Sequence, residues 1–232
     1  MPVAECASPI NSLLQALPKA EFHRVLAKCR LVDLDHGRIL CDAGDRIRHV
    51  YFVNTGIVSL LARTGRGGTE VGMVGYEGAT GMSLALGVAV SPVRVLVQGA
   101  GTAMRMNAIH FRSIVRDSPA LQRALNRYLH DFIVEMAQTA ACHRFHRIES
   151  RLARWLLMTQ DRMRSDEFRL TQSFVADTLG VRRVGITRIA QKLQRHGMIR
   201  YSRGHVIVID RSGLQQIACE CYRAIDDDSA AT

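Results

Sequence analysis

The sequence predicts an α+β protein: a β-rich N-terminal half, one long central helix and a C-terminal winged helix-turn-helix. Three observations carry this. Between Leu31 and about Met106, short runs rich in Val, Ile, Leu and Tyr alternate with glycines. After Ser118-Pro119 comes a segment with apolar residues at three- and four-residue spacing as far as about Cys142. A helix, a glycine turn, a basic helix and a basic hairpin then succeed one another between Thr171 and Ile209.

The 232 residues leave room for two modest domains, and 47% hydrophobic with 22% charged residues is a globular balance. No apolar run reaches the length of a membrane-spanning helix. The stretch MPVAECASPINSLL lacks the basic and apolar regions of a signal peptide. A cytoplasmic protein with no membrane partner is expected. The net charge of +10 is unevenly spread: residues 143–211 hold 15 Lys/Arg against 6 Asp/Glu, whereas residues 212–232 hold 1 against 4. Such a concentrated basic excess is the footprint of a domain that binds a polyanion. Cys6, Cys29, Cys41, Cys142, Cys219 and Cys221 are scattered, unlike a disulfide framework. Cys219-x-Cys221 is too close for the usual CxxC knuckle, so these are expected to be core or incidental thiols.

Each element follows from its local pattern. Residues 8–30 predict one or two short helices, with Leu13, Leu14 and Leu17 before Pro18, and Phe22, Val25 and Leu26 after it. The runs 49–53, 56–62, 69–74 and 93–98 predict short strands with glycine turns, in a sandwich, barrel or roll. No phosphate-loop or dinucleotide-binding glycine pattern is present. Residues 107–116 predict a helix. Ser118 and Pro119 then supply a cap and a first-turn proline to the long helix. Leu121, Leu125, Tyr128, Phe132 and Met136 form one apolar stripe of that helix, with Leu129, Ile133, Ala137 and Ala140 on an adjoining one. Two covered faces call for two partners, so the first stripe is assigned to a homodimer interface and the helix to residues 118–145. Residues 1–117 form the N-terminal domain, 146–225 the C-terminal one and 226–232 an acidic tail. Ile148 to Met158 predicts a further amphipathic helix, followed by a polar segment.

Within the C-terminal domain, Thr171 is expected to touch DNA and to cap a helix whose core residues are Phe174, Val175 and Leu179. Gly180 stands where that helix must end in a left-handed turn. From about Arg182 to Arg195, Ile186, Ile189, Ala190 and Leu193 face inward, leaving Arg182, Arg183, Val184, Gly185, Thr187, Arg188, Gln191 and Lys192 outward. Forked and hydrogen-bonding side chains on a helix held by an apolar stripe are what major-groove readout requires. A hairpin about Arg203-Gly204 forms the wing, where Ser202, Arg203 and His205 are expected to touch the DNA backbone.

In this order, the elements resemble those of the Crp/Fnr family. Matching residues include Asn11, Leu13, Leu14, Leu17-Pro18, Gly37-Arg38-Ile39-Leu40, Asp42-Ala43-Gly44-Asp45, Tyr51-Phe52, Gly56 and Ser59, besides the helix-turn-helix. The resemblance implies a cyclic-nucleotide-binding-like β-roll, or jelly roll, with a dimerising helix and a winged helix that reads palindromic double-stranded DNA. It also implies a small-molecule effector, placed at Thr80, Gly81, Met82, Ser83 and Arg94, and RNA polymerase as a partner if the regulator is an activator. The chain departs from the cyclic-AMP-binding pattern. Gly78-Ala79-Thr80-Gly81-Met82-Ser83 and Val90-Ser91-Pro92-Val93 supply neither the acid for a ribose nor the arginine for a phosphate. A cyclic phosphate there would lose its hydration without a cation in return. The effector is therefore expected to be something other than cyclic AMP. A single cysteine ahead of the roll does not suit an iron–sulfur cluster. Cys142, His143 and His146 offer three metal donors at the hinge, yet interdomain packing is the preferred reading, and neither metal nor cofactor is expected. Val184 stands where many members have Glu, so a different operator follows.

No HExxH, GxSxG or paired-carboxylate helix is present, so an enzyme is not expected. The competing class is a sensor or adaptor that binds a small ligand or a protein without reading DNA sequence.

Overall fold

The computed structural model describes residues 11–64, 67–202 and 204–222. Asn11 begins it as a buried joint. Its side chain caps α1 (Ser12–Gln15) by accepting from the Leu14 amide, and its own amide group lies 2.7–3.0 Å from the carbonyls of Val53, Tyr76 and Gly78. Pro18 ends that turn and starts α2 (Lys19–Leu26).

Six antiparallel strands follow: β1 (Cys29–Leu34), β2 (Ile39–Cys41), β3 (His49–Thr64), β4 (Gly67–Val74), β5 (Ala79–Thr80) and β6 (Arg94–Asn107). Their order is β1-β6-β3-β4, with β2 added on β6 and β5 on β3. Runs 49–53 and 56–62 prove to be one strand, β3, and run 93–98 is the first part of the long β6. Gly56 therefore marks a bend within a strand and not a turn between two. Its φ is +86°, and a Cβ there would stand 2.6 Å from the Gly99 carbonyl oxygen. Opposite, a Cβ on Gly101 would meet the Thr55 carbonyl oxygen at 2.1 Å, and the β3–β6 register shifts beside it. Glycine lets the two backbones close over each other as the sheet curls. The roll is filled by Val50, Phe52, Met106 and Phe111 on one side and by Val53, Val58, Val74 and Val97 on the other.

The helices α3 (Ala108–Asp117) and α4 (Pro119–Phe145) come next, Ser118 capping α4 by accepting from the Leu121 amide at 3.1 Å. Leu121 and Leu125 are 0% exposed and belong to the core of the roll, packed with Leu13, Leu14 and Phe111. This corrects the assignment of these two residues to a dimer interface; Tyr128, Phe132 and Met136, further along the stripe, are half-buried. Tyr128 and Phe132 lean the same way. The Tyr128 hydroxyl donates to the Ala79 carbonyl, and Phe132 packs over Gly72. The adjoining stripe is open over its later part, with Ile133 58% exposed and Ala137 and Ala140 also exposed, while Leu129 at its start packs against the roll.

After a two-residue break at His146 and Arg147, α5 (Ile148–Met163) opens the C-terminal domain. It extends five residues past its expected end. Then come β7 (Glu167–Arg169), α6 (Gln172–Thr178), α7 (Arg183–Arg195), β8 (Ile199–Ser202), β9 (His205–Val208) and α8 (Arg211–Ile217). The wing is a three-stranded antiparallel sheet in the order β7-β9-β8, its outer strand cut from the segment expected to be polar loop. This domain packs directly on the roll: Ile57 and Met73 share a core with Trp155, Leu156 and Phe168. Polar contacts also tie α5 to the roll and to α4. The Trp155 indole donates to Glu70 at 2.7 Å, and the Arg162 guanidinium reaches Glu77 at 2.8 Å and Glu135 at 2.7 Å. Among the described residues, no helix is long and apolar enough to cross a membrane.

Candidate nucleic-acid interface

The outward face of the C-terminal domain is built on α6 and α7. Thr171 caps α6 as its sequence position suggests, its hydroxyl oxygen accepting from the Phe174 amide at 3.2 Å. Val175 and Leu179 are buried beneath, and Gly180 takes φ +63° to let the chain turn. Ile186, Ala190 and Leu193 hold α7 to that core. Arg182, Arg183, Val184, Arg188 and Gln191 are exposed on its other face, Val184 at 63%. An apolar side chain so exposed, next to Arg183 and Gly185, contributes little to packing within the chain. No side chain caps the N-terminus of α7. That leaves a partial positive charge and free amides suited to an anion.

Several expected contacts are engaged internally, among them His205, which faces Glu167 at 3.6 Å, and Thr171 as the cap of α6. The Thr187 hydroxyl donates to Gln172 Oε1 at 2.8 Å and so ties α7 to α6. Lys192 pairs with Glu149 of α5 at 2.9 Å. Gly185 is half-buried, and a Cβ there would meet nothing within 4 Å, so nothing in the fold requires a glycine. At the wing, Ser202 and His205 face each other in register, and Arg169 of β7 pairs with His205 on the far side. Arg203 lies outside the described residues. Arg169, Arg195 and Arg200 are exposed as well; they belong to the local charge excess, but no motif position in the sequence singles them out.

The residues expected to hold an effector are partly packed into the roll and partly paired at its surface. Thr80 and Met82 are buried in the roll, Met82 within its core. Gly81 is in the left-handed region at φ +80°, and Ser83 is half-buried. Arg94 forks onto Asp42 at 2.9 and 3.0 Å, and this hydrogen bonding holds the Asp42 carboxyl below its usual range. A groove of about 590 Å³ runs instead between α1 and α4, lined by Arg123, Arg127, Asp131 and Arg162 among others, and by none of those five residues.

At the hinge, His143 turns away from Cys142 and His146. Burial, with Arg151 and Arg154 nearby, pushes its pKa down to about 4. Cys142 and His146 face Cys219 and Cys221 instead.

Residues 150–217 match the Crp-like helix-turn-helix domain. The chain carries a Crp-like helix-turn-helix on a Crp/Fnr fold. Solved structures show the same fold across nearly their whole length. The c-di-GMP-responsive global regulator CLP of Xanthomonas campestris has a TM-score of 0.68 at 18% identity, covering 82% of this chain and 99% of that one. FixK2 of Bradyrhizobium japonicum has a TM-score of 0.70 at 12% identity, covering 82% and 98%. A putative Crp/Fnr-family transcriptional regulator of Eubacterium rectale has a TM-score of 0.65 at 17% identity, covering 88% and 96%. No curated protein matches the chain in sequence. The Crp/Fnr fold accounts for the roll, the long helix and the winged helix in one chain.

Proposed function

We propose that this protein is a transcription regulator that binds palindromic double-stranded DNA as a homodimer, with α7 in the major groove. The observation that carries this is the exposed face of α7, where Arg182, Arg183, Val184, Arg188 and Gln191 surround an uncapped helix N-terminus. Arginine forks suit guanine or phosphate, and Val184 suits a thymine methyl group. In the dimer, two copies of α7 must stand about 34 Å apart to enter successive major grooves. The roll acts as a sensor through its contacts with α5, and an effector works by binding one arrangement of the two domains better than the other. The effector we propose is something other than cyclic AMP, because residues 78–83 and 90–93 supply neither an acid for a ribose nor an arginine for a phosphate, and nearby Arg94 pairs with Asp42.

The test is selection of bound genomic fragments, followed by anisotropy titrations on the selected site and on random DNA. Arg183→Ala and Arg188→Ala are each expected to lose about 1–3 kcal/mol on the selected site and much less on random DNA. Equal affinity for all sequences, unchanged by either substitution, would favour a sensor or adaptor that does not read DNA.

A further inference from the structure

Four side chains far apart in sequence converge where α4 ends. Cys142 is on the last turn of α4, His146 follows that turn, and Cys219 and Cys221 lie just beyond α8. Their donor atoms all fall within 4.8 Å of one another. Cys142 Sγ is 3.5 Å from Cys219 Sγ, and Cys221 Sγ is 3.4 Å from His146 Nδ1. A tetrahedral ion with bonds of about 2.3 Å to sulfur and about 2.0 Å to nitrogen spaces its donors about 3.5–3.8 Å apart. The two measured pairs already have this spacing, and a separation of up to 4.8 Å closes by about 1 Å around a single ion, whereas the tetrad is too tight to enclose a multi-iron cluster.

Two features outside the tetrad point to the same occupant. His146 Nε2 lies 3.0 Å from Glu220 Oε1, so the ring offers its N–H to a carboxylate and its Nδ1 to the sulfurs. Histidine ligands are oriented in this way by an outer carboxylate. Gln138 also donates to Cys221 Sγ at 2.8 Å. Close by, Arg151 and Arg154 are 8% and 5% exposed, and among the described residues neither makes an ion pair. The Nε of each lacks a hydrogen-bond partner. Both lie within electrostatic reach of Cys142, Arg154 also of Glu135, and each donates one hydrogen bond from its Nη2, to Leu179 and Thr139 respectively. Buried cations need an anion, and three thiolates around a divalent ion carry one net negative charge.

We infer that Cys142, His146, Cys219 and Cys221 form a four-coordinate zinc site that clasps the C-terminal segment to the hinge end of α4. Three sulfurs and one imidazole suit a borderline-soft cation, and four protein donors leave no open position, as in structural zinc sites. The ion closes a loop from Cys142 to Cys219 that contains the whole helix-turn-helix and wing. It thus fixes where the DNA-binding domain departs from α4.

Metal analysis of the full chain, purified without chelators, is expected to give about one zinc per chain. Replacement by cobalt is expected to produce the intense visible bands of tetrahedral thiolate coordination. Cys142→Ser and Cys221→Ser should abolish tight binding in competition with a chromophoric chelator. Glu220→Gln should weaken it about 10–100-fold. Cys29→Ser, Cys41→Ser and His143→Ala should leave it intact. Should the serine variants fail to fold, chelator-stripped wild-type protein titrated with cobalt and then zinc answers the question alone. Zinc binding too weak to compete with the chelator, an octahedral cobalt spectrum, or a Cys142–Cys219 disulfide in anaerobically isolated protein would each overturn the site.

Discussion

Val184 and Gly185 show how far single residues of the recognition helix serve the partner and not the fold. Val184 is among the most exposed apolar side chains of the C-terminal domain. Replacing it by Glu removes nothing from the core and adds an acceptor for a cytosine amine. Val184→Glu is expected to leave the melting temperature unchanged and to move the selected DNA sequence towards C·G pairs, as read by repeating the fragment selection. An unchanged sequence preference would place this face of α7 away from the bases. Gly185 sits inside a helix with open space where a Cβ would go. Gly185→Ala should therefore stabilise the free protein by about 0.5–1 kcal/mol by the ordinary helix-propensity difference. If the DNA backbone approaches here, the same change weakens DNA binding. Thermal denaturation and anisotropy on one preparation separate the two effects. A substitution that stabilises without any loss of affinity would exclude a close approach.

At the scale of the element, α4 is the informative one, because its two stripes have different partners. Leu125 is sealed within the roll, so Leu125→Ala is expected to cost about 2–5 kcal/mol of unfolding free energy without changing the oligomeric state directly. Ile133 lies on the open stripe with Ala137 and Ala140. Small residues at that spacing let a second helix come close. Ile133→Glu is expected to leave the fold intact and convert a dimer to a monomer, as measured by sedimentation. A variant that stays dimeric would send the interface elsewhere, with the groove along Arg123 and Arg127 the next surface to test.

The whole molecule is coupled through the buried contacts between α5 and the roll. Burial raises the Glu70 pKa from 4.5 to about 7, even though the Trp155 indole donates to the carboxyl. A raised carboxyl pKa means that the docked state holds a proton that the unfolded state releases. Its contribution is full below pH 4.5 and is lost as pH rises through about 7, a change of about 3 kcal/mol. The melting temperature of the wild type is thus expected to fall over that window, and Glu70→Gln to flatten the dependence. Identical slopes for both proteins would remove Glu70 from the account. Arg162 works in the opposite sense. Burial alone would lower its pKa, but Glu135 and Glu77 hold it up and keep it charged. Glu135, buried too, is shifted upward by desolvation despite that pairing. Arg162→Ala strands two carboxylates at the interdomain boundary and is expected to cost about 3–5 kcal/mol, measured by chemical denaturation.

The sequence by itself determined what is local. Ser118-Pro119 started α4, Thr171 and Gly180 bounded α6, and the apolar stripe of Ile186, Ala190 and Leu193 set which side of α7 faces out. Periodicity, caps and glycine turns act within a few residues, so one chain without a partner displays them. The expected boundaries missed β7 and the end of α5, because a three-residue strand takes its identity from β9 and not from its own composition. Tertiary structure alone decided which stripe of α4 is buried in the chain, since two apolar stripes look alike until the roll covers one of them. It also decided that Gly56 and Gly101 bend a continuous sheet, and that His143 leaves the hinge donors while Cys219 and Cys221 join them. Such a grouping is a matter of distances between segments that sequence separates by more than seventy residues, and only packing brings their donor atoms within 4.8 Å of one another.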